Sequence, residues 1–546
     1  MTAIIKQFRR PVKEGAGLQP ATPSRRQLLV LLCVSVPSFM INLDANIVAV
    51  SLPSIGRTLN ADFAATEWVI SAYTLAFASL LLPAGALADR FGRKRLLLVG
   101  LALFTAASIL CGAAPTIVLL NAGRAIQGAG AALLLSAALA TLADAFRGHE
   151  RAAAFAFWGT VIGVAMTIGP IVGGVITHRF GWPWAFYVNV PVGLAMFGLS
   201  SRAVRESRDP QAQSVDLGGA VVFAATLFCL TLALISVNQR GWNSLVVLNE
   251  LFGAFFLGVL FVWVEHRQTR PMLDFSYFRQ STFVGANVAN LAYAATLLPM
   301  LTFLPLYFQS AFAKEPEVAG LMMLPMVAPL VLVPRLVVRF LAHRFSGRGL
   351  LTLGLALATL GLIELGLVAD QIQFSLIVAG MLVAGSGAGI LNAEAARVAM
   401  TAIPHERAGM AAGIGGTVRF AGLVVGFAAL GAILYSTVAS NVAMLMPDLS
   451  NTDRAALIHG LMSGGIAEPH SLGESWDQVR LTSIGHGYRT LFFSAAAVAV
   501  AAAVACWRLV QASETPMLRV TPLRIVDQDS HLQRSRTPSP TPPSWT

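Results

Sequence analysis

Charge is what this chain has little of. Asp, Glu, Lys and Arg make up 12% of its 546 residues, hydrophobic residues make up 56%, and the mean hydropathy is +0.69. Soluble domains carry roughly a quarter charged residues. With half that, a folded chain in water would leave most of its apolar side chains exposed. Soluble, disordered and fibrous classes are therefore excluded, and the solvent must be lipid. Cysteine is equally sparse: Cys33, Cys111, Cys229 and Cys506 each sit alone in an apolar stretch, which supports neither a disulfide framework nor a zinc site. The nine histidines fall in loops, tails or span ends, so no buried histidine relay or metal site is expected. A P-loop is missing, which removes ATP as the energy source. No catalytic constellation gathers at one membrane face, so an enzyme is not expected, nor is a cofactor. The first 27 residues are polar and basic without a cleavable apolar core, so the first span is expected to stay in the protein.

What is present is a series of long apolar runs. A crossing of about 30 Å takes roughly 20 apolar residues, and runs of that kind lie at 28–52, 68–88, 96–115, 117–142, 153–177, 184–201, 217–238, 245–264, 282–308, 318–338, 349–369, 374–400, 408–436 and 488–508. The expected fold is an all-α polytopic membrane protein with fourteen spans. The positive-inside rule tests that count independently. With the N-terminus cytoplasmic, 27 Lys and Arg fall in inner loops and tails against 7 in outer loops, and four (Arg124, Arg335, Arg397, Arg419) fall inside spans. An odd count or a reversed chain would destroy that asymmetry. Both termini are expected on the cytoplasmic side of the membrane. The net charge of +11 then belongs to the cytoplasmic rim and implies no nucleic-acid partner.

The two halves repeat each other. LADRF-GR at 87–93 echoes LAHRFSGR at 341–348, an offset of 254 with one insertion. GAGA at 128–131 echoes GSGA at 385–388, and WGTV at 158–161 echoes GGTV at 415–418, both offset by 257. The order and near-constant spacing predict two six-helix bundles, spans 1–6 and 9–14, with spans 7 and 8 inserted between them. The expected division is an N-terminal tail (1–27), a first bundle (28–203), a linker with the inserted pair (204–266), a second bundle (267–510) containing a long outer loop at about 437–487, and a disordered tail (511–546). Ionisable groups are not repeated: Asp89 falls on His343, Arg124 on Met381, and Asp44 on or near Leu298.

Four segments stand out. GALADRFGRKR, with Gly85, Asp89, Arg90, Gly92 and Arg93, lies between spans 2 and 3. A glycine there lets two helices approach, an acid caps or pairs across a short turn, and the basic cluster meets lipid headgroups. LNAGRAIQGAGAA at 120–132 places Arg124 in mid-span, which costs at least about 3 kcal/mol unless paired or hydrated. GVAMTIGPIVGG, with Gly163, Gly169, Pro170, Gly173 and Gly174, puts small residues at helical spacing, allowing tight packing around a proline bend. LDANIVAVSLP at 43–53 buries Asp44 well inside an apolar run. Desolvation there disfavours a carboxylate and a nearby cation favours it, so an Asp44–Arg124 couple is tunable. A fixed structural aspartate is the alternative.

Together these segments, over residues 28–510, resemble the fourteen-helix drug:proton antiporters of the major facilitator superfamily. That resemblance implies a proton-coupled exporter working by alternating access, with Asp44 and Arg124 coupling protons, the Gly85–Arg93 turn gating, and the Gly163–Gly174 segment as the antiporter signature. Asn46 and Ala49 stand where the family usually has Thr and Asn. The WPWAFYVNVPVG stretch at 182–193 also matches, and reads as an interfacial aromatic belt. Glu394 and Arg397 share a helix face and either neutralise each other or serve a substrate or second proton. Arg419, in TVRFAGLVVG, either lines the cavity or pairs with Glu394. Glu364 and Arg335 read as structural. Expected partners are a small-molecule substrate, protons and the bilayer, with the protein a monomer. A dedicated exporter of one endogenous metabolite, antibiotic or siderophore, and a non-transporting membrane sensor, are the alternatives.

Overall fold

A computed structural model describes residues 24–146, 148–208, 217–268, 275–341, 344–402, 408–462 and 475–513. The N-terminal tail up to residue 23, His343 and the tail from residue 514 lie outside the described residues. Helices dominate and no strand occurs among the described residues. Among the described residues, fourteen helices are long and apolar enough to cross a bilayer. They are α1 (Arg25–Thr58), α2 (Phe63–Phe91), α3 (Arg93–Gly112), α4 (Ile117–Ala145), α5 (Gly148–Phe180), α6 (Trp184–Ala203), α7 (Leu217–Arg240), α8 (Leu245–Arg267), α9 (Ser281–Ser310), α10 (Pro316–Leu336), α11 (Gly347–Val368), α12 (Phe374–Thr401), α13 (Ala408–Leu445) and α14 (Ser475–Leu509).

Several helix starts are written in the sequence. Ser24 opens α1 with a reciprocal capping box to Gln27, Asp62 caps α2 through Ala65 N, and Thr116 caps α4 through Leu119 N. Two spans are less continuous than their hydropathy suggests. In α9 the backbone breaks between Thr296 and Met300, ahead of Pro299, and Leu298 N reaches back to Tyr293 O. In α10 the break is at Met323, and Val337–Leu341 continues as a π turn. Pro299 and Pro325, which stand at these breaks, each remove a backbone donor without adding polarity, so hydropathy does not register them. The outer-loop expectation also shifts, because α13 runs on to Leu445 and α14 begins by Ser475. Between them a short helix, Asn451–Met462, buries Leu457, Ile458, Leu461 and Met462.

The repeat is visible in the packing. In the first half α1 lies on α5, α2 on α4, α3 on α4, and α3 on α6. The second half repeats each pair: α9 on α13, α10 on α12, α11 on α12, and α11 on α14. The halves meet through α5 against α10 and, as its counterpart, α13 against α2. The inserted α7 packs beside α2 and α13, while α8 rests mainly on α7 and is 17% buried over its apolar window.

Both cross-half pairs are tightest at the end remote from Arg90–Arg95. Along α5, an added Cβ would meet nothing within 4 Å at Gly159 and Val331 at 3.8 Å at Gly163, but would run into the Pro316 carbonyl at Gly174. Gly320 of α10 is pressed in return onto the Pro170 carbonyl. On the other seam Gly431 of α13 lies against Glu67 of α2, whereas Gly85 has nothing within 4 Å. The far end is bridged further by Arg179–Glu317 (3.7 Å) and by Gln309 Nε2 donating to Val50 O (3.1 Å). The halves are closed at the far end and diverge toward the basic end.

Candidate functional site

Asp44 lies midway along α1 and is completely buried. A lone carboxylate there would be prohibitively costly, and the first half supplies three donors. Arg124 Nη1 on α4 donates to Oδ2 at 2.7 Å. Gln127 Nε2, one turn along α4, donates to Oδ1 at 3.0 Å, and Asn189 Nδ2 on α6 donates to the same oxygen at 2.7 Å. Arg124, 1% exposed, is itself fully engaged: Nε donates to Val69 O on α2 (2.9 Å), Nη1 also to Gln127 Oε1 (2.7 Å), and its plane rests 4.1 Å from the Tyr73 ring centroid. Gln127 Nε2 additionally donates to Ser108 Oγ on α3 (2.9 Å). Five helices thus converge on one carboxylate, and both of its oxygens are hydrogen-bonded, as a buried charge requires.

The expected pairing of Asp44 with Arg124 is present. Gln127 and Asn189 carry no charge to mark them in the sequence, although they lie within 120–132 and 182–193. The aromatic-belt reading of 182–193 needs correction accordingly. Trp184 is exposed, but Trp182 and Phe186 are buried, and the segment delivers Asn189 to Asp44.

The turn at Gly85–Arg95 is held by charges. Arg93 donates to Asp89 Oδ1 through Nε (3.1 Å) and Nη2 (2.9 Å) and reaches Asp144 Oδ1 at 3.4 Å. Gly92 adopts φ +113°, a left-handed conformation that favours glycine. Glu206, beyond α6, lies against Gly92 and accepts from Lys94 N (3.1 Å) and Arg95 N (3.3 Å), so a carboxylate caps the positive end of α3. Arg90 is exposed beside Phe91. Gly85 makes no close approach in this conformation, so the expected helix contact at that glycine is absent here.

The second glycine segment does pack. Gly169 lies against Asn46, an added Cβ at Gly173 would come within 2.8 Å of Ile47 Cα, and Gly174 lies against Pro316. Gly169 and Gly173 therefore hold α5 on α1, next to Asp44, and Gly174 holds α5 on α10. Gly163 meets only ordinary contact distance.

In the second half, Glu394 (side chain 3% exposed) and Arg397 (28%) bind each other through Oε2 and Nε at 2.6 Å, which favours mutual neutralisation. Arg419 does not pair with Glu394: its Nη2 reaches Tyr293 OH at 3.5 Å and its guanidinium sits 5.1 Å from that ring. Arg335 is exposed, with Nη1 on Val331 O. At the positions matching Asp44 and Arg124 stand the α9 break at Leu298 and the buried Met381.

Residues 34–427 match the model of the Major Facilitator Superfamily. The chain is 36% identical to the multidrug resistance protein Stp of Mycobacterium tuberculosis over 75% of its own length and 76% of that protein. It is 33% identical to the methylenomycin A resistance protein of Streptomyces coelicolor (73% and 84% covered) and 30% identical to the multidrug efflux pump LfrA of Mycolicibacterium smegmatis (79% and 85%). Among solved structures it is similar to a bacterial homologue of the human lysosomal transporter Spinster, in an inward-facing and unoccupied conformation (TM-score 0.59, 15% identity, 91% and 100% covered). It is also similar to a peptide transporter bound to sulfate (TM-score 0.58, 14% identity, 88% and 95%). With fourteen spans, two repeated bundles and these relatives, the chain belongs to the Major Facilitator Superfamily, in its fourteen-helix drug:proton antiporter family.

Proposed function

We propose that this protein exports small amphipathic compounds across the bacterial inner membrane in exchange for protons, by alternating access. The observation that carries this reading is the buried Asp44 with its three donors, set beside the glycine seam that joins the halves. With both termini cytoplasmic, the basic end is the inner face, and the divergence of the halves there is an inward-facing state. Outward opening parts Gly174 from Pro316 and Gly320 from Pro170, and brings Gly85 toward the second half.

Protonation of Asp44 removes the charge that Arg124 opposes. The freed guanidinium keeps Val69 O and Gln127 Oε1, so the network loosens around α1 without losing all its partners. Because Gly169 and Gly173 rest on Asn46 and Ile47, a shift of α1 is passed directly to α5 and the seam. Each proton moving inward gains about 2.3 kcal/mol per 100 mV of membrane potential. The protein acts as a monomer in this scheme, since each half supplies what the other packs against.

A second reading, a dedicated exporter of one metabolite, is favoured by a relative named as a tetracenomycin C resistance and export protein, 30% identical over 80% of this chain. A panel of compounds offered to proteoliposomes, with a pH gradient and then with an uncoupler, tests both. Gradient-dependent movement of several unrelated compounds supports the multidrug form, and of one compound the dedicated form. Movement that ignores the uncoupler refutes proton exchange.

A further inference from the structure

Two buried carboxylates, one in each half, have an arginine beside them. Asp44 is taken up by Arg124 and Glu394 by Arg397. Arg419 of α13 is left on the Tyr293 ring and hydroxyl, half-buried, with no carboxylate partner among the described residues. The helices packed against α13 explain this. The sequences of α7 and α9 contain no acidic residue, Glu394 of α12 is taken by Arg397, and the one acid in the sequence of α14, Asp477, stands in its first turn, beyond the level where Gly487 meets Leu434 and Val438. On α2, Asp89 is engaged by Arg93, and Glu67 sits at Gly431, twelve residues beyond Arg419, about 18 Å along the helix. A guanidinium inside a span requires a counter-charge or water, and no carboxylate among the described residues is paired with it.

A second observation lies one turn away. Asn287 of α9 is 5% exposed; its Nδ2 donates to Phe283 O, while its Oδ1 has no hydrogen-bond partner. That oxygen faces Gly415, where an added Cβ would meet only Asn290 Nδ2 at 3.8 Å and Asn287 Oδ1 at 3.9 Å. Gly415 and Arg419 share a face of α13, and Asn290 Nδ2 donates to Gly415 O at 2.7 Å. Phe420, next to Arg419, packs on Phe77 of α2 at 4.1 Å, so this stretch of α13 borders the first half. An unopposed cation and an idle acceptor thus adjoin one another where α9 meets α13, beside a glycine with only ordinary contacts and next to the first half.

We infer that Arg419 receives the anionic group of the exported compound, a carboxylate or phenolate, while Asn287 Oδ1 accepts a hydroxyl or N–H from the same molecule. The substrate class is an amphipathic organic anion carrying a hydrogen-bond donor. The guanidinium offers a planar donor pair to an oxyanion, and Tyr293 fixes its plane. This rests on the exporter reading above.

The test uses one aromatic hydroxy-acid scaffold in three forms, as free carboxylate, methyl ester and tertiary amine, in proteoliposomes with a pH gradient. Wild type is expected to move the carboxylate best. Arg419→Gln is expected to raise the carboxylate KM about tenfold, the loss of one hydrogen bond to a charged group. The ester should change less than twofold, and Arg419→Lys should recover part of the carboxylate transport. The ester is measured in the same variant, so a misfolded protein would show itself. Asn287→Ala should weaken the hydroxylated carboxylate but not its deoxy analogue. Movement of ester and amine without the carboxylate, or an equal effect of Arg419→Gln on all three, overturns the inference and leaves export standing. No gradient-driven movement of any form overturns both.

Discussion

Substituting Gly174 by alanine adds one methyl group where the Pro316 backbone already stands. A backbone carbonyl cannot rotate aside as a side chain can, so α5 and α10 must separate at the outer end. Overpacking of this kind costs about 1–3 kcal/mol. Alanine also gains about 1 kcal/mol of helix propensity over glycine, but α5 is helical in both conformations, so that gain cancels. The contact exists only while the outer end is closed, and its cost therefore falls on one state alone. A bias of about 1–3 kcal/mol changes the inward-to-outward ratio by about 5- to 150-fold. Spin labels at Phe180 and Leu321, both exposed and flanking this seam, read the result in a background with Cys229 replaced, the other three cysteines being buried. The distance distribution of Gly174→Ala should gain a long component relative to wild type. Gly85→Leu should do the opposite, because its side chain has space now and would obstruct closure of the inner end. An unchanged distribution for Gly174→Ala, or a longer one for Gly85→Leu, would refute the seam argument.

Other expectations follow from the same contacts. Arg124→Lys keeps a charge but cannot serve Val69 O, Asp44 and Gln127 together, so gradient-driven transport should fall at least about tenfold, one charge-assisted hydrogen bond being worth about 1.5–3 kcal/mol; initial uptake rates check this. Asn189→Leu removes a donor to Asp44 and leaves the aromatic segment intact. Transport should fall while thermal stability in detergent stays within a few degrees of wild type, which separates a positioning role from a packing one. Gly92→Ala places a side chain in a left-handed conformation and against Glu206. It should lower stability by about 1–3 kcal/mol, seen as a lower melting temperature, and Glu206→Gln should show a smaller loss of the same sign.

Much of this architecture was legible in the sequence because lipid enforces it. Spans, their number and the repeat all follow from hydropathy and spacing, and no other solvent-compatible reading of so little charge exists. Asp44 and Arg124 were legible for the same reason, since charges in apolar runs are too costly to be incidental. Gln127 and Asn189 were not, because neutral amides leave hydropathy nearly unchanged and Asn189 sits within an aromatic segment that resembles an interface. Glu206 was hidden in a polar linker whose proximity to α3 only the fold creates. The α9 break at Leu297–Pro299 left no polar trace, although it falls where the repeat aligns Asp44 with Leu298. Gly85 shows a different limit: a motif names a residue that one conformation uses and another leaves idle.

In the proposed cycle, proton binding at Asp44 drives export. Purified Asp44→Asn protein in proteoliposomes tests it most directly, comparing pH-gradient-driven transport with counterflow exchange, which needs no gradient. Gradient-driven transport should collapse while exchange persists, because the neutral amide can still meet Gln127 and Asn189. Gradient-driven transport at the wild-type rate would contradict it.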